Sequence, residues 1–155
     1  MKILENKGFS LVELLVIIVI LFLLTIIVVP RLIDFQREQA LKNTTENIIS
    51  LLNQAKTDSL SSLNSSNYGV HFTTNSAVYF VGDTFNSSDL NNYQIDFDSG
   101  VAISEINLNG GGDDVIFPKL TGDPIGYGTI TLYLTSVPDR QKIISVSQTG
   151  SISVD

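Results

Sequence analysis

The sequence predicts an α+β chain in which one long N-terminal helix, transmembrane and then amphipathic, packs on an antiparallel β-sheet head. Three observations predict it. Residues Phe9 to Val29 are apolar apart from Ser10, Glu13 and Thr25. Beyond Pro30, apolar residues recur at helical spacing. From Tyr68 onward the pattern changes to alternation, broken by loops rich in Gly, Asn, Asp and Ser. A length of 155 residues suits one compact domain plus an extra segment.

The first element is the apolar run. About 20 apolar residues span a bilayer as a helix, so Phe9–Val29 reads as a signal peptide or as a retained anchor. A secretory signal ends in small residues at a cleavage site. This run ends Val28-Val29-Pro30-Arg31-Leu32, without such a site, so a retained anchor is expected. Glu13 interrupts it. A charge inside hydrocarbon costs about 2.5–3.5 kcal/mol, which makes an intramembrane carboxylate a functional candidate. The residues alone also allow Glu13 to sit at the headgroup boundary, four positions into the run.

The second element follows Pro30. Ile33, Leu41, Ile48, Leu51, Leu52, Ala55 and Leu63 recur at spacings that place them on one helix face, toward a core. Proline within a helix removes one backbone hydrogen bond and bends or ends it. The pattern therefore predicts one helix from about Phe9 to about Leu63, loosened near Pro30, or two helices parted there. Ser61-Ser62-Leu63-Asn64-Ser65-Ser66-Asn67 closes it with turn formers.

The head, residues 65–155, reads as strands. Tyr68, Val70 and Phe72 alternate with Gly69, His71 and Thr73, and Asn75-Ser76 leads into Ala77–Val81 as the second arm of a hairpin. Tyr93, Ile95 and Phe97 alternate with polar partners, as do Ile130, Leu132 and Leu134. Lys142–Ser147 and Ser151–Val154 flank Gln148-Thr149-Gly150 as a closing hairpin. No internal repeat is present.

Composition narrows the chemistry. The chain has no cysteine, which excludes disulfides, thiolate metal sites and cysteine nucleophiles. Residues 43–155 hold four basic and twelve acidic side chains, a balance of −8. A surface of that sign disfavours nucleic acid and anionic lipid as partners of the head. His71, the one histidine, falls out of phase with Val70 and Phe72, so an exposed or rim position is expected and a catalytic role is not. No G-x-S-x-G turn, P-loop or zinc spacing occurs. Neither catalytic residues, nor a metal, nor a cofactor is expected. Asp96-Phe97-Asp98 and Asp113-Asp114 supply oxygen ligands of the kind Ca²⁺ takes, but the first falls short of an EF-hand loop, and solvated turn aspartates are the simpler reading. Asn43-Thr44-Thr45, Asn64-Ser65-Ser66 and Asn86-Ser87-Ser88 match the N-x-[ST] acceptor pattern in a chain rich in these residues.

The residues Lys7-Gly8-Phe9-Ser10-Leu11-Val12-Glu13-Leu14-Leu15-Val16 resemble the type IV prepilin signature. The resemblance implies that residues 1–8 are a leader. A prepilin peptidase would cut between Gly8 and Phe9 on the cytoplasmic side and methylate the new amine of Phe9. Glu13 falls where the family keeps its glutamate, and Pro30 where many members carry a helix-loosening proline. The family role of Glu13 has a physical logic: a carboxylate on one subunit neutralises the Phe9 amine of its neighbour, and each makes burial of the other tolerable. Residues 9–29 would then be the transmembrane and assembly helix, and 30–64 the amphipathic half. Basic residues near the run number two before it (Lys2, Lys7) and three after it (Arg31, Arg37, Lys42). Charge thus does not orient the span, and a cytoplasmic N-terminus is implied by the resemblance.

The head is most similar to the GspH/FimT-like minor pilins and pseudopilins, through Ala55-Lys56-x-x-Ser59, Tyr68–Phe72 and the Ile143–Gly150 hairpin. The function this implies is a filament subunit in type IV pilus or type II secretion filament assembly. Its partners would be other pilin or pseudopilin subunits, the prepilin peptidase, an inner-membrane assembly platform and membrane lipid. Its place would be a single-pass inner-membrane protein with the head outside, then a pilus or periplasmic filament. A major structural pilin is one alternative, and a DNA-uptake minor pilin another. DNA binding needs clustered Lys and Arg, and the head offers Lys56, Lys119, Arg140 and Lys142 alone.

Overall fold

The computed structural model describes residues 10–155, with the side chains of residues 26–30 left out. Two compact units divide the chain, Met1–Gln36 and Arg37–Asp155. A single α-helix, α1, runs from Leu11 to Leu60. It is continuous through position 30, which favours the one-helix reading over two separate helices. The loosening expected of Pro30 rests on a side chain outside the described set.

In the second unit α1 is amphipathic. Leu41, Ile48, Leu51, Leu52 and Ala55 are buried, and they share one core with both sheets described below. Each leucine or isoleucine among them contributes about 1.5–3 kcal/mol by leaving water. Two buried threonines interrupt the stripe without cost. Thr45 donates its hydroxyl to Leu41 O at 2.7 Å, and Thr44 Oγ1 accepts from Asp98 N at 3.2 Å. Leu63 lies beyond α1, in a short 3₁₀ turn at Leu63–Ser65, and is exposed. Ile33 lies in the first unit and is also exposed, so neither joins the core as their spacing predicts.

The head holds eight strands: β1 Tyr68–Phe72, β2 Ser76–Val81, β3 Tyr93–Asp96, β4 Val101–Leu108, β5 Asp114–Phe117, β6 Gly128–Leu134, β7 Val137–Val146 and β8 Ile152–Val154. They form two four-stranded sheets rather than one, ordered β3-β2-β1-β5 and β4-β6-β7-β8. Every pairing is antiparallel. Tyr68, Val70 and Phe72 of β1 enter the core with Val115 and Phe117, while Ile130, Leu132 and Leu134 of β6 enter it from the other sheet.

The outer face of the first sheet has its own apolar cover. Gly69 pairs with Phe80, and a Cβ at Gly69 would lie 2.6 Å from the Phe80 ring. Glycine here makes room for a buried phenylalanine. Phe85 meets Phe80 edge-on at 5.7 Å and stacks on His71 at 4.0 Å. His71 is partly exposed on this outer face, opposite in phase to Val70 and Phe72.

Candidate assembly surface

Two regions stand out: the apolar part of α1 and the junction that ties α1 to the head. In the first, every described apolar side chain from Leu11 to Leu24 is exposed, from 41% at Ile17 to 79% at Leu11. The helix is apolar all round over this stretch, which is the pattern of a helix meant for burial among other helices or in lipid. Thr25 does not break it, because its hydroxyl donates to Leu21 O at 2.8 Å and so needs no outside partner.

Glu13 is the acidic residue of the first turn of α1. Ile17, Ile20 and Leu24 follow it on the same face at helical spacing. Its carboxylate therefore projects from an apolar surface. Gly8 and Phe9 lie outside the described residues. No helix among the described residues is long and apolar enough to cross a membrane. The expected 9–29 span includes Phe9 and the side chains of 26–29, which lie outside that set.

At the junction, the Lys56, Asp58 and Ser59 side chains all reach the head. Ser59 is fully buried. Its hydroxyl donates to Phe117 O at 2.6 Å and accepts from Tyr68 N at 3.1 Å, and its carbonyl accepts from Leu120 N at 3.0 Å. Asp58 Oδ2 accepts the Tyr79 hydroxyl at 2.8 Å. Burial first, and then that hydrogen bond to a carboxylate, push the Tyr79 phenol far above its usual range. Lys56 Nζ donates to Gly150 O at 2.8 Å. Toward the other end of the docked segment, Glu38 pairs with Arg140 of β7.

The sequence marks Lys56, Ser59 and Gly150 as motif positions but not what they touch. Asp58, Tyr79 and the Glu38–Arg140 pair carried no sequence signal, because their contacts span many residues. His71 Nδ1 lies 2.6 Å from Asp114 Oδ1, its cross-strand neighbour. A carboxylate accepts hydrogen bonds, so Nδ1 carries the proton. Asp113 and Asp114 thus serve the β1–β5 pairing, Asp113 O also accepting from Phe72 N at 2.8 Å. Among the described residues no three His, Asp or Glu side chains gather into a metal site. Of the three glycosylation patterns, Asn43-Thr44-Thr45 has its Thr45 hydroxyl buried and engaged in α1.

A long N-terminal helix whose second half packs on antiparallel sheet is the type IV pilin-like fold. Two crystal structures share it, both of the type IV minor pilin FimU from Pseudomonas aeruginosa strain PAO1. Their TM-scores are 0.56 and 0.58 at 14% identity, covering 74% and 78% of this chain and 92% of each FimU chain. At that identity the likeness is one of fold. No protein-family model and no curated protein matches the sequence.

Proposed function

We propose that this chain is a filament subunit, a minor pilin or pseudopilin that joins or primes a type IV pilus or a type II secretion filament. One observation carries the reading. A helix that carries the pilin-like head continues N-terminally into a stretch exposing all its described apolar side chains, with Glu13 as the one charge among them. An isolated chain gains nothing from such a surface, whereas lipid before assembly and neighbouring helices after it would each bury it. That both similar structures are of a minor pilin, FimU, supports that assignment over a major pilin.

Residues 1–8 are then a leader, cut between Gly8 and Phe9 by a prepilin peptidase, with the Phe9 amine methylated. Residues 9–29 hold the subunit in the inner membrane with the head on the outer side, until an assembly platform moves it into the filament. Glu13 faces the Phe9 amine of a neighbouring subunit, and Pro30 loosens the helix between its two halves.

The test is Glu13→Ala in the cells that make the protein. The variant should reach the membrane at normal abundance and fall at least roughly tenfold in sheared filaments, since an unpaired charge in hydrocarbon costs over 1.4 kcal/mol. Normal recovery of Glu13→Ala from sheared filaments would refute the pairing.

A further inference from the structure

We propose that Asn109 is a site of spontaneous covalent modification, converting to aspartate and isoaspartate through attack by the backbone nitrogen of Gly110. The β4–β5 turn reads Asn109-Gly110-Gly111-Gly112-Asp113, and nowhere else in the chain does asparagine precede glycine. In the reaction the Gly110 nitrogen bonds to Asn109 Cγ while the Cγ–Nδ2 bond breaks. Ammonia leaves with the proton that Gly110 N carried. Water then opens the five-membered imide at one of its two carbonyls. Opening at one restores an ordinary peptide link with aspartate; opening at the other leaves isoaspartate. Water is the sole co-reactant, and nothing is oxidised or reduced.

Three obstacles usually slow this attack: a side chain on the attacking residue, a hydrogen bond holding its N–H, and burial. All three are absent here. Gly110 has no Cβ, and one built there would find nothing within 4 Å. The turn's backbone bonds run from Asn109 N to Tyr127 O at 2.8 Å and from Gly111 N to Leu108 O at 3.0 Å, and leave Gly110 N unengaged. Asn109 and the three glycines are exposed. Attack requires rotation about Asn109's own ψ and χ1; the three glycines that follow, with φ of +92°, +76° and +87°, can re-adjust their backbone to that rotation at little steric cost.

The other exposed loop asparagines are worse placed. Asn64, Asn75 and Asn86 precede serine and Asn91 precedes asparagine, and Asn86 Oδ1 already accepts from Ser88 N at 3.0 Å. Modification at Asn109 adds a carboxylate beside Asp113 and Asp114. Isoaspartate also lengthens the main chain by one methylene just before β5, where Asp113 and Asp114 hold the end of β1. A subunit kept outside the cell in a long-lived filament would accumulate it with age.

The test incubates the full chain in detergent micelles at mildly alkaline pH, beside the same chain in denaturant. Peptide mapping then follows the gain of about 1 Da at each asparagine, and isoaspartyl methyltransferase labelling identifies the branched product. Asn109 should convert first, within about threefold of its rate in denaturant, and Gly110→Ala should slow it roughly tenfold. An Asn109 that stays an amide in the folded chain while converting in denaturant would overturn the proposal. So would earlier conversion at Asn64 or Asn86. The wild-type comparison stands whether or not Gly110→Ala folds.

Discussion

The Ser59 hydroxyl donates to the Phe117 carbonyl at 2.6 Å from a fully buried position on α1. The same oxygen accepts the Tyr68 N–H, so one side chain satisfies a backbone group on each of β1 and β5. Ser59→Ala removes both bonds and leaves a donor and an acceptor buried. It should destabilise the protein by about 1–3 kcal/mol, seen as a lower denaturant midpoint of the detergent-solubilised chain. Thr57→Ala, two residues away and exposed, removes a hydroxyl that bonds only Asn53 O. It should change stability by less than about 0.5 kcal/mol.

Gly150 and Gly111 share a left-handed backbone, with φ of +71° and +76°. They differ in surroundings. A Cβ at Gly150 would sit 2.2 Å from Gly122 O, whereas one at Gly111 meets nothing within 4 Å. Alanine at Gly111 should therefore cost about 1 kcal/mol of backbone strain. Alanine at Gly150 should cost clearly more, and should loosen Lys56, whose ammonium bonds the Gly150 carbonyl. Equal thermal midpoints for the two variants would mean that the close approach to Gly122 is unimportant.

Tyr79 gives a pH dependence with a definite sign. Its phenol ionises less readily folded than unfolded, through burial and the Asp58 hydrogen bond. The stability it confers is therefore fully present below the unfolded tyrosine value of about 10 and is lost as pH rises above it. The loss for this one group is about 1.4 kcal/mol per pH unit. Tyr79→Phe should flatten that part of the alkaline limb relative to wild type, in unfolding titrations from neutral to strongly alkaline pH. Parallel limbs would contradict the coupling.

Much of this was legible in the sequence, where spacing and burial agree. Leu41, Ile48, Leu51, Leu52 and Ala55 form the buried stripe that their periodicity predicts. The β1–β2 and β7–β8 hairpins lie where alternation and turn residues put them. The missed strands have physical reasons. In β4, Val101, Ala102 and Ile103 are all buried and a bulge follows between Ile103 and Glu105, so no period of two survives. β5 is four residues long and pairs with β1 across more than forty positions, which no local pattern records. The division into two sheets follows from these same strands. Of the candidate surface, the apolar run and Glu13 are visible in the sequence. The contacts of Asp58, Tyr79 and Arg140 are not, since each partner lies far off in sequence.

The most direct test is N-terminal and intact-mass analysis of the protein recovered from membranes and from sheared filaments of its own cells. The expected chain begins at N-methyl-Phe9 and is present in the sheared fraction. A chain that still begins at Met1 in cells with an active prepilin peptidase, and is missing from that fraction, would contradict the reading of a processed filament subunit.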